Sequence, residues 1–291
     1  MLNEYEGGFG HPLVLCQMNR ALYKSPIRWL SVIMVTCLLL SGCGAVPVTG
    51  RRQILLVSDQ EIFQAGLVQY KEYLSSAAIS SDPTSSAMVR NVGRKLADAT
   101  EYYLKTNGLQ AEVSNFAWEF NLVKDSQVNA FCMPGGKIVV YDGLLSVAQT
   151  EAELAVVLGH EIAHAVAKHS NERMSQQILA QSGLAILSSA LSEKSAVVRE
   201  TATTVFGLGA QVGLMLPYSR RHEYEADFMG IVFMELAGYD SQTAVTFWEK
   251  MSSLGTGKVP ELLSTHPSDA KRVSNLKNKI PEAKEIARNL R

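Results

Sequence analysis

Within residues 150–169 a capping box, Thr150-x-x-Glu153, opens a run of apolar residues at helical spacing, and that run carries His160, Glu161 and His164. Side chains four apart lie on one helical face, so the two imidazoles can converge on a single cation. Glu161 stands one residue on, rotated by about 100°, within reach of a water on that cation. Leu154, Val157 and Ile162 make the flanks apolar. Two histidines and a glutamate are expensive to half-bury without a partner. The segment therefore reads as a packed helix bearing an H-E-x-x-H metal site, around which the rest of the chain must fold. A catalytic site of this kind needs a third protein ligand and keeps one position open.

Two places offer that ligand. His169 follows His164 by five residues, one short of the spacing by which a third histidine ligates from the same segment, and Ala167 stands where that pattern has glycine. On a helix continuing to His169 the side chain points away from His164, as a surface or capping residue. The other place is Arg221-His222-Glu223-Tyr224-Glu225-Ala226-Asp227. Glu223 and Asp227 are four apart and share a face; one carboxylate can bind metal while the other accepts the free N–H of a ligating imidazole. Glu225 falls on the opposite side and reads as solvated. Spacing alone does not separate this from an ordinary acidic amphipathic helix. Cys132 reads as a small core residue.

Bulk properties set wide bounds. The 291 residues suffice for one medium domain or two small ones. A net charge of -1 gives no basic field for nucleic acid. The N-terminus is more specific. Arg20, Lys24 and Arg28 precede an uncharged run over 29–40, shorter than the roughly 20 residues of a membrane span. That is the layout of a secretory signal. The run ends in Leu40-Ser41-Gly42-Cys43, which resembles a bacterial lipobox. The resemblance implies a signal peptide over 1–42, with Met18 as the start that gives a conventional length, and lipidation of Cys43. Multiple acyl chains would anchor the protein stably to a membrane, and Gly44 after the cysteine implies the outer membrane. Residues 43–57 are then lipidated cysteine and tether, and 58–291 the folded domain. Cys132 is left without a disulfide partner.

Within the domain, Ser58-x-x-Glu61 opens a helix to about residue 75, and a second helix runs over 84–106 to Asn107-Gly108. Alternation over 115–124 predicts a strand, Pro134-Gly135-Gly136 a turn, and Lys137–Tyr141 a short β-branched strand. The first helix-bearing motif spans 151–169. Segments 176–191 and 197–216 are apolar but interrupted by Glu193, Lys194, Arg199 and Glu200, too short to span a bilayer, and read as core helices. Further helices are expected over 221–236, 241–253 and 268–289.

His160-Glu161-x-x-His164 followed by Glu223-x-x-Ala226-Asp227 resembles the gluzincin peptidases of the HtpX and CAAX prenyl protease family. Pro47-Val48-Thr49-Gly50-Arg51-Arg52, Val57-Ser58-Asp59, Asn129-Ala130-Phe131, Gly136-Lys137 and Thr265-His266-Pro267-Ser268 extend the likeness in order along most of the chain. The branch most similar is that of periplasmic lipoprotein peptidases and the mitochondrial inner-membrane quality-control peptidase. The resemblance implies an α+β, mostly helical zincin-like domain with a small β-sheet beside the active-site helix. It implies one zinc ion held by His160, His164 and Glu223, with Glu161 as general base and Asp227 supporting a ligand. The strand of Lys137, Ile138, Val139 and Val140 would align an extended peptide at a sheet edge. His266, held extended by Pro267, is expected near the metal, either on the oxyanion or in the open position, or as a plain helix-start residue. Arg272 is a weaker candidate for the oxyanion. Substrates would be misfolded or misassembled envelope polypeptides. A chaperone or assembly factor keeping only a peptide groove is the competing reading, and an intact Glu161 argues against it.

Overall fold

A computed structural model describes residues 43–196, 199–200, 204, 216–254, 261–266 and 270–291. The proposed signal peptide over 1–42, most of the expected helix over 197–216 and the Pro267-Ser268 helix start lie outside the described residues. The elements run β1 (Cys43–Ala45), β2 (Arg52–Ile54), α1 (Asp59–Ser76), α2 (Pro83–Thr106), α3 (Gln110–Val113), β3 (Glu119–Val123), β4 (Ala130–Met133), β5 (Lys137–Tyr141), a 3-10 turn (Asp142–Ser146), α4 (Glu151–Val166), α5 (His169–Ala190), α6 (Leu216–Leu236), α7 (Gln242–Leu254), α8 (Glu261–Thr265) and α9 (Ala270–Leu290). The domain is α+β and mostly helical, as expected. Among the described residues no helix is long and apolar enough to cross a membrane.

Local signals account for most starts. Both capping boxes form: Ser58 and Glu61 cap α1 reciprocally, and Thr150 and Glu153 do the same for α4. Asp82 caps α2, whose first residue is Pro83. From Leu154 to Ala163 every residue of α4 is buried, so this helix is the core of the domain rather than a half-exposed face. β3, β5 and β4 form a sheet in that order, β5 parallel to β3 and antiparallel to β4. The sheet buries Phe120, Leu122, Ile138 and Val140 in the main core with Val89, Val92 and Leu96 of α2 and Leu158 of α4. Strand β4 was not foreseen. It breaks alternation, and the Pro134-Gly135-Gly136 turn with both glycines at positive φ folds it back onto β5.

Four expectations give way. Segment 176–191, read as a core helix, is the C-terminal part of α5 and is largely exposed, with Ile178, Leu179 and Ile186 at the surface. The helix of the metal motif does not continue to His169: Lys168 takes a left-handed φ of 56°, and a new helix starts at His169. A left-handed non-glycine residue costs about 1–2 kcal/mol; here ion pairs from Lys168 to Asp59 at 2.6 Å and Glu112 at 2.8 Å hold it. The segment read as a tether is packed: Val46 and Arg51 are buried, and β1 pairs with β2. Glu225 is buried rather than solvated, because from His222 to Phe233 every residue of α6 except Tyr224 is buried.

Helices α4 and α6 touch backbone to backbone at Gly159 and Gly230. A Cβ on Gly230 would stand 3.0 Å from the amide nitrogen of His160 and 3.1 Å from the carbonyl carbon of Gly159. Gly230→Ala gains up to about 1 kcal/mol of helix propensity but overpacks rigid backbone, which costs about 1–3 kcal/mol. The second effect wins. The variant should unfold at lower urea concentration with an unchanged m-value; an unchanged midpoint would show that the helices part freely.

Candidate metal centre

His160 and His164 lie on α4 and Glu223 on the facing α6, so the close helix contact sets their separation. His160 Nε2 is 3.0 Å from His164 Nε2 and 3.2 Å from Glu223 Oε2, and His164 Nε2 is 3.4 Å from Glu223 Oε1. All three side chains are at least nine-tenths buried. His266, just after α8, brings Nδ1 to 3.1 Å from His160 Nε2 and 3.0 Å from Glu223 Oε2. These four residues form a group able to hold one metal ion.

The remote ring nitrogens show why a cation fits. His160 Nδ1 is 2.9 Å from Asp227 Oδ1; a carboxylate only accepts, so Nδ1 carries the hydrogen and Nε2 the lone pair. His164 Nδ1 meets His169 Nδ1 at 2.8 Å, and His169 Nε2 meets Glu225 Oε2 at 3.0 Å. Glu225 accepts from His169, His169 then accepts from His164, and His164 Nε2 is also a lone pair. Two imidazole lone pairs and a carboxylate thus point at one another across 3.0–3.4 Å. Acceptors facing acceptors repel unless they share a positive charge. Two imidazole nitrogens and a carboxylate oxygen match the donor set of catalytic zinc.

Electrostatics agree. Burial opposes charge on Glu223, yet the imidazoles of His160, His164 and His266 around it hold its carboxyl far below the usual range. Burial and Arg272 push the His160 imidazole down, but Asp227 and Glu223 outweigh them and raise it to about 9. Burial and the neighbouring His160 push His164 well down. The pocket therefore stabilises positive charge at His160 Nε2 and leaves His164 neutral.

Glu161 sits where a base is needed. Its Oε2 accepts the backbone N–H of Cys132 at 3.2 Å, and its Oε1 lies 3.3 Å from His266 Nε2. Cys132 is half-buried on β4, and burial and Glu161 push its thiol well up. Arg272 is fully buried: Nε and Nη2 donate to Asp227 at 2.6 and 2.8 Å, Nη1 donates to the His266 carbonyl at 3.1 Å, and the guanidinium stacks on Trp248 at 4.1 Å. It orients Asp227 and the His266 backbone, a role spacing had not indicated.

The remaining site residues depart from expectation. Lys137, Ile138, Val139 and Val140 do not form a sheet edge, because β5 pairs with β3 on one side and β4 on the other. The edge beside the metal is β4, whose Cys132 N–H points away from β5 toward Glu161. His169 is fully buried against His164 rather than on the surface. Around it stand Arg51, Glu172, His222 and Glu225, all buried. Arg51 donates to Glu172 at 2.8 and 2.7 Å and to Glu225 at 2.8 Å. The Thr49-Gly50-Arg51 motif was the available signal for this cluster.

The sequence profile described as Peptidase family M48 matches residues 87–280, a span that includes the three proposed ligands and His266. The mitochondrial metalloendopeptidase OMA1 of Schizosaccharomyces pombe is 34% identical over 242 residues, covering 82% of this chain and 66% of its own length. The namesake of Arabidopsis thaliana is 39% identical over 168 residues, 58% of this chain and 33% of its own length. The beta-barrel assembly-enhancing protease of Escherichia coli is 25% identical over 271 residues, 90% of this chain and 53% of its own length. The chain thus spans between a third and two thirds of these relatives. With the profile covering well over half its length and the metal-site geometry in place, the chain belongs to peptidase family M48.

Proposed function

We propose that this protein is a zinc-dependent endopeptidase of the periplasmic lipoprotein branch, anchored through Cys43 at the outer membrane and acting on misfolded or misassembled envelope polypeptides. The observation that carries the catalytic reading is the convergence of His160 Nε2, His164 Nε2 and the Glu223 carboxylate beside Glu161. When bound, zinc supplies Lewis acidity toward the scissile carbonyl and toward water. Glu161 accepts a proton from that water and returns it to the leaving amine; the Cys132 N–H fixes its Oε2 and leaves Oε1 on the metal side. The outer edge of β4 is the strand to which an extended peptide adds. Next to it a recess lined by Ile62, Phe63, Pro134 and His164 can take an apolar side chain. Kinship with beta-barrel assembly-enhancing proteases supports envelope polypeptides as substrates.

His266 gives the site a resting state. Its Nδ1 lies 3.1 Å from His160 Nε2 and 3.0 Å from Glu223 Oε2, so it could serve as a fourth ligand to a zinc ion that those residues would hold. An imidazole ligating there would exclude water, and substrate would have to displace the His266 side chain before chemistry.

Three measurements test these statements. Glu161→Gln should retain one zinc per chain and lose nearly all caseinolysis, since an amide accepts no proton, whereas Glu223→Ala should lose metal and activity together. Caseinolysis by a zinc-loaded Glu161→Gln protein would exclude the mechanism, whereas no caseinolysis by the zinc-loaded wild type would favour a groove that only binds peptides. His266→Ala should keep zinc and raise basal proteolysis or self-cleavage; a drop of roughly 10²-fold would instead assign His266 to the oxyanion. Cys43→Ala should move the protein from the membrane to the soluble fraction. If it still sediments with the outer membrane, the lipid anchor is wrong.

A further inference from the structure

The cluster behind His164 is larger than a metal ligand requires. It runs from the N-terminal segment to the metal: Thr49 and Arg51, then Glu225 on α6, then His169 at the start of α5, then His164 on α4. We infer that Glu225 and His169 are positioning residues that fix the tautomer of the ligand His164, and that Thr49 and Arg51 hold Glu225 for that purpose. The inference rests on the zinc-site reading above and adds to it the residues that prepare one ligand.

Glu225 Oε2 accepts from Arg51 Nε at 2.8 Å, and Oε1 accepts from the Thr49 hydroxyl. Both oxygens are thereby fixed in place as acceptors. His169 Nε2, 3.0 Å from Oε2, can only donate. A neutral His169 then has its lone pair on Nδ1, which lies 2.8 Å from His164 Nδ1 and can only accept. His164 must place its hydrogen on Nδ1, and its lone pair falls on Nε2, facing Glu223. One hydrogen fits between two Nδ1 atoms 2.8 Å apart, so either His169 accepts from His164 or the reverse, and only the first leaves on His164 Nε2 the lone pair that the zinc-site reading needs. The ring of His222 stacks on His169 at 4.1 Å with the planes 15° apart, which fixes the rotation on which both hydrogen bonds depend. In the other tautomer His164 would present N–H to the metal and could not ligate. A ligating histidine usually hands its second N–H directly to a carboxylate or carbonyl; here one neutral imidazole is interposed between ligand and carboxylate. The interposition carries the constraint to residues 49–51, so the packed N-terminal segment takes part in building the metal centre.

The test needs readouts other than proteolysis. In the chelated full-length chain, long-range ¹H–¹⁵N spectra of the histidine side chains should show hydrogen on Nδ1 of His164 and on Nε2 of His169. Zinc affinity is then measured by competition with a chromophoric chelator. His169→Phe keeps the ring stacked on His222 but removes the acceptor, and should weaken zinc by about 10–100-fold. Glu225→Gln separates tautomer control from charge: its amide oxygen can stand at the Oε2 position with its NH₂ toward the Thr49 oxygen, so affinity should stay within about threefold of wild type. Glu225→Met, which has no acceptor, should behave like His169→Phe. Hydrogen on Nε2 of His164 in the wild type, or unaltered zinc affinity in a folded His169→Phe protein, would overturn the inference. Loss in Glu225→Gln equal to that in Glu225→Met would also overturn it, because charge and not hydrogen placement would then be what Glu225 supplies. If His169→Phe fails to fold, the wild-type spectra and the Glu225 pair decide. Should the wild type take up no zinc at all, the zinc reading fails, and the spectra of the metal-free chain still decide the tautomer.

Discussion

The contact of α4 with α6 at Gly159 and Gly230 is the constraint on which the centre depends. The H-E-x-x-H motif can place two imidazoles on one face but cannot bring a carboxylate to them. That requires a second helix near enough for a short glutamate side chain to reach. A methyl group at either glycine would stand 3.0–3.2 Å from the facing backbone, and the helices would have to move apart to accept it. Without those methyl groups, Glu223 reaches both Nε2 atoms and Asp227, one turn on, reaches Nδ1 of His160. Two glycines far from each other in sequence therefore decide the geometry of four polar side chains.

Around this contact the protein buries charge in pairs. Arg272 neutralises Asp227 from α9, and Arg51 bridges Glu172 and Glu225 from the N-terminal segment. Breaking such a pair strands a buried charge and costs roughly 3–5 kcal/mol. The pairs are thus weak evidence for stability and good evidence for position: each ties a distant piece of chain to one atom of the metal site. Arg272 reaches His160 through Asp227 and also holds the His266 carbonyl. Arg51 reaches His164 through Glu225 and His169.

What the sequence revealed and what it concealed divide along the range of the forces involved. The capping boxes, the turn glycines and the four-residue spacing of His160 with His164 and of Glu223 with Asp227 are local, and each appears in the structure where the pattern puts it. His169 was misread because the helix was taken to continue. Lys168 breaks it with a left-handed residue that only distant Asp59 and Glu112 stabilise, and no local pattern encodes a partner a hundred residues away. Glu225 was misread because the helical wheel assigns its face to solvent, whereas in α6 that face packs against Arg51 and His169. The substrate edge was misplaced because Lys137–Tyr141 is the better strand by composition. Composition favours the central position, and the poorer strand Ala130–Met133 takes the edge.

Formal charge ties these observations to the metal. Near the site three acids, Glu161, Glu223 and Asp227, are buried with a single permanent cation, Arg272. Three negative charges against one positive leave -2 in a region closed to solvent, an arrangement too costly to stand by itself. A proton on His160, which the surroundings raise to about 9, removes only half of it. A divalent ion removes all of it, and it does so at the point where the lone pairs of His160 and His164 already converge. The same charge count explains why both Nδ1 atoms must be tied down. If either imidazole carried its hydrogen on Nε2, the ion would lose a ligand and with it part of the site that brings its charge to the carboxylates.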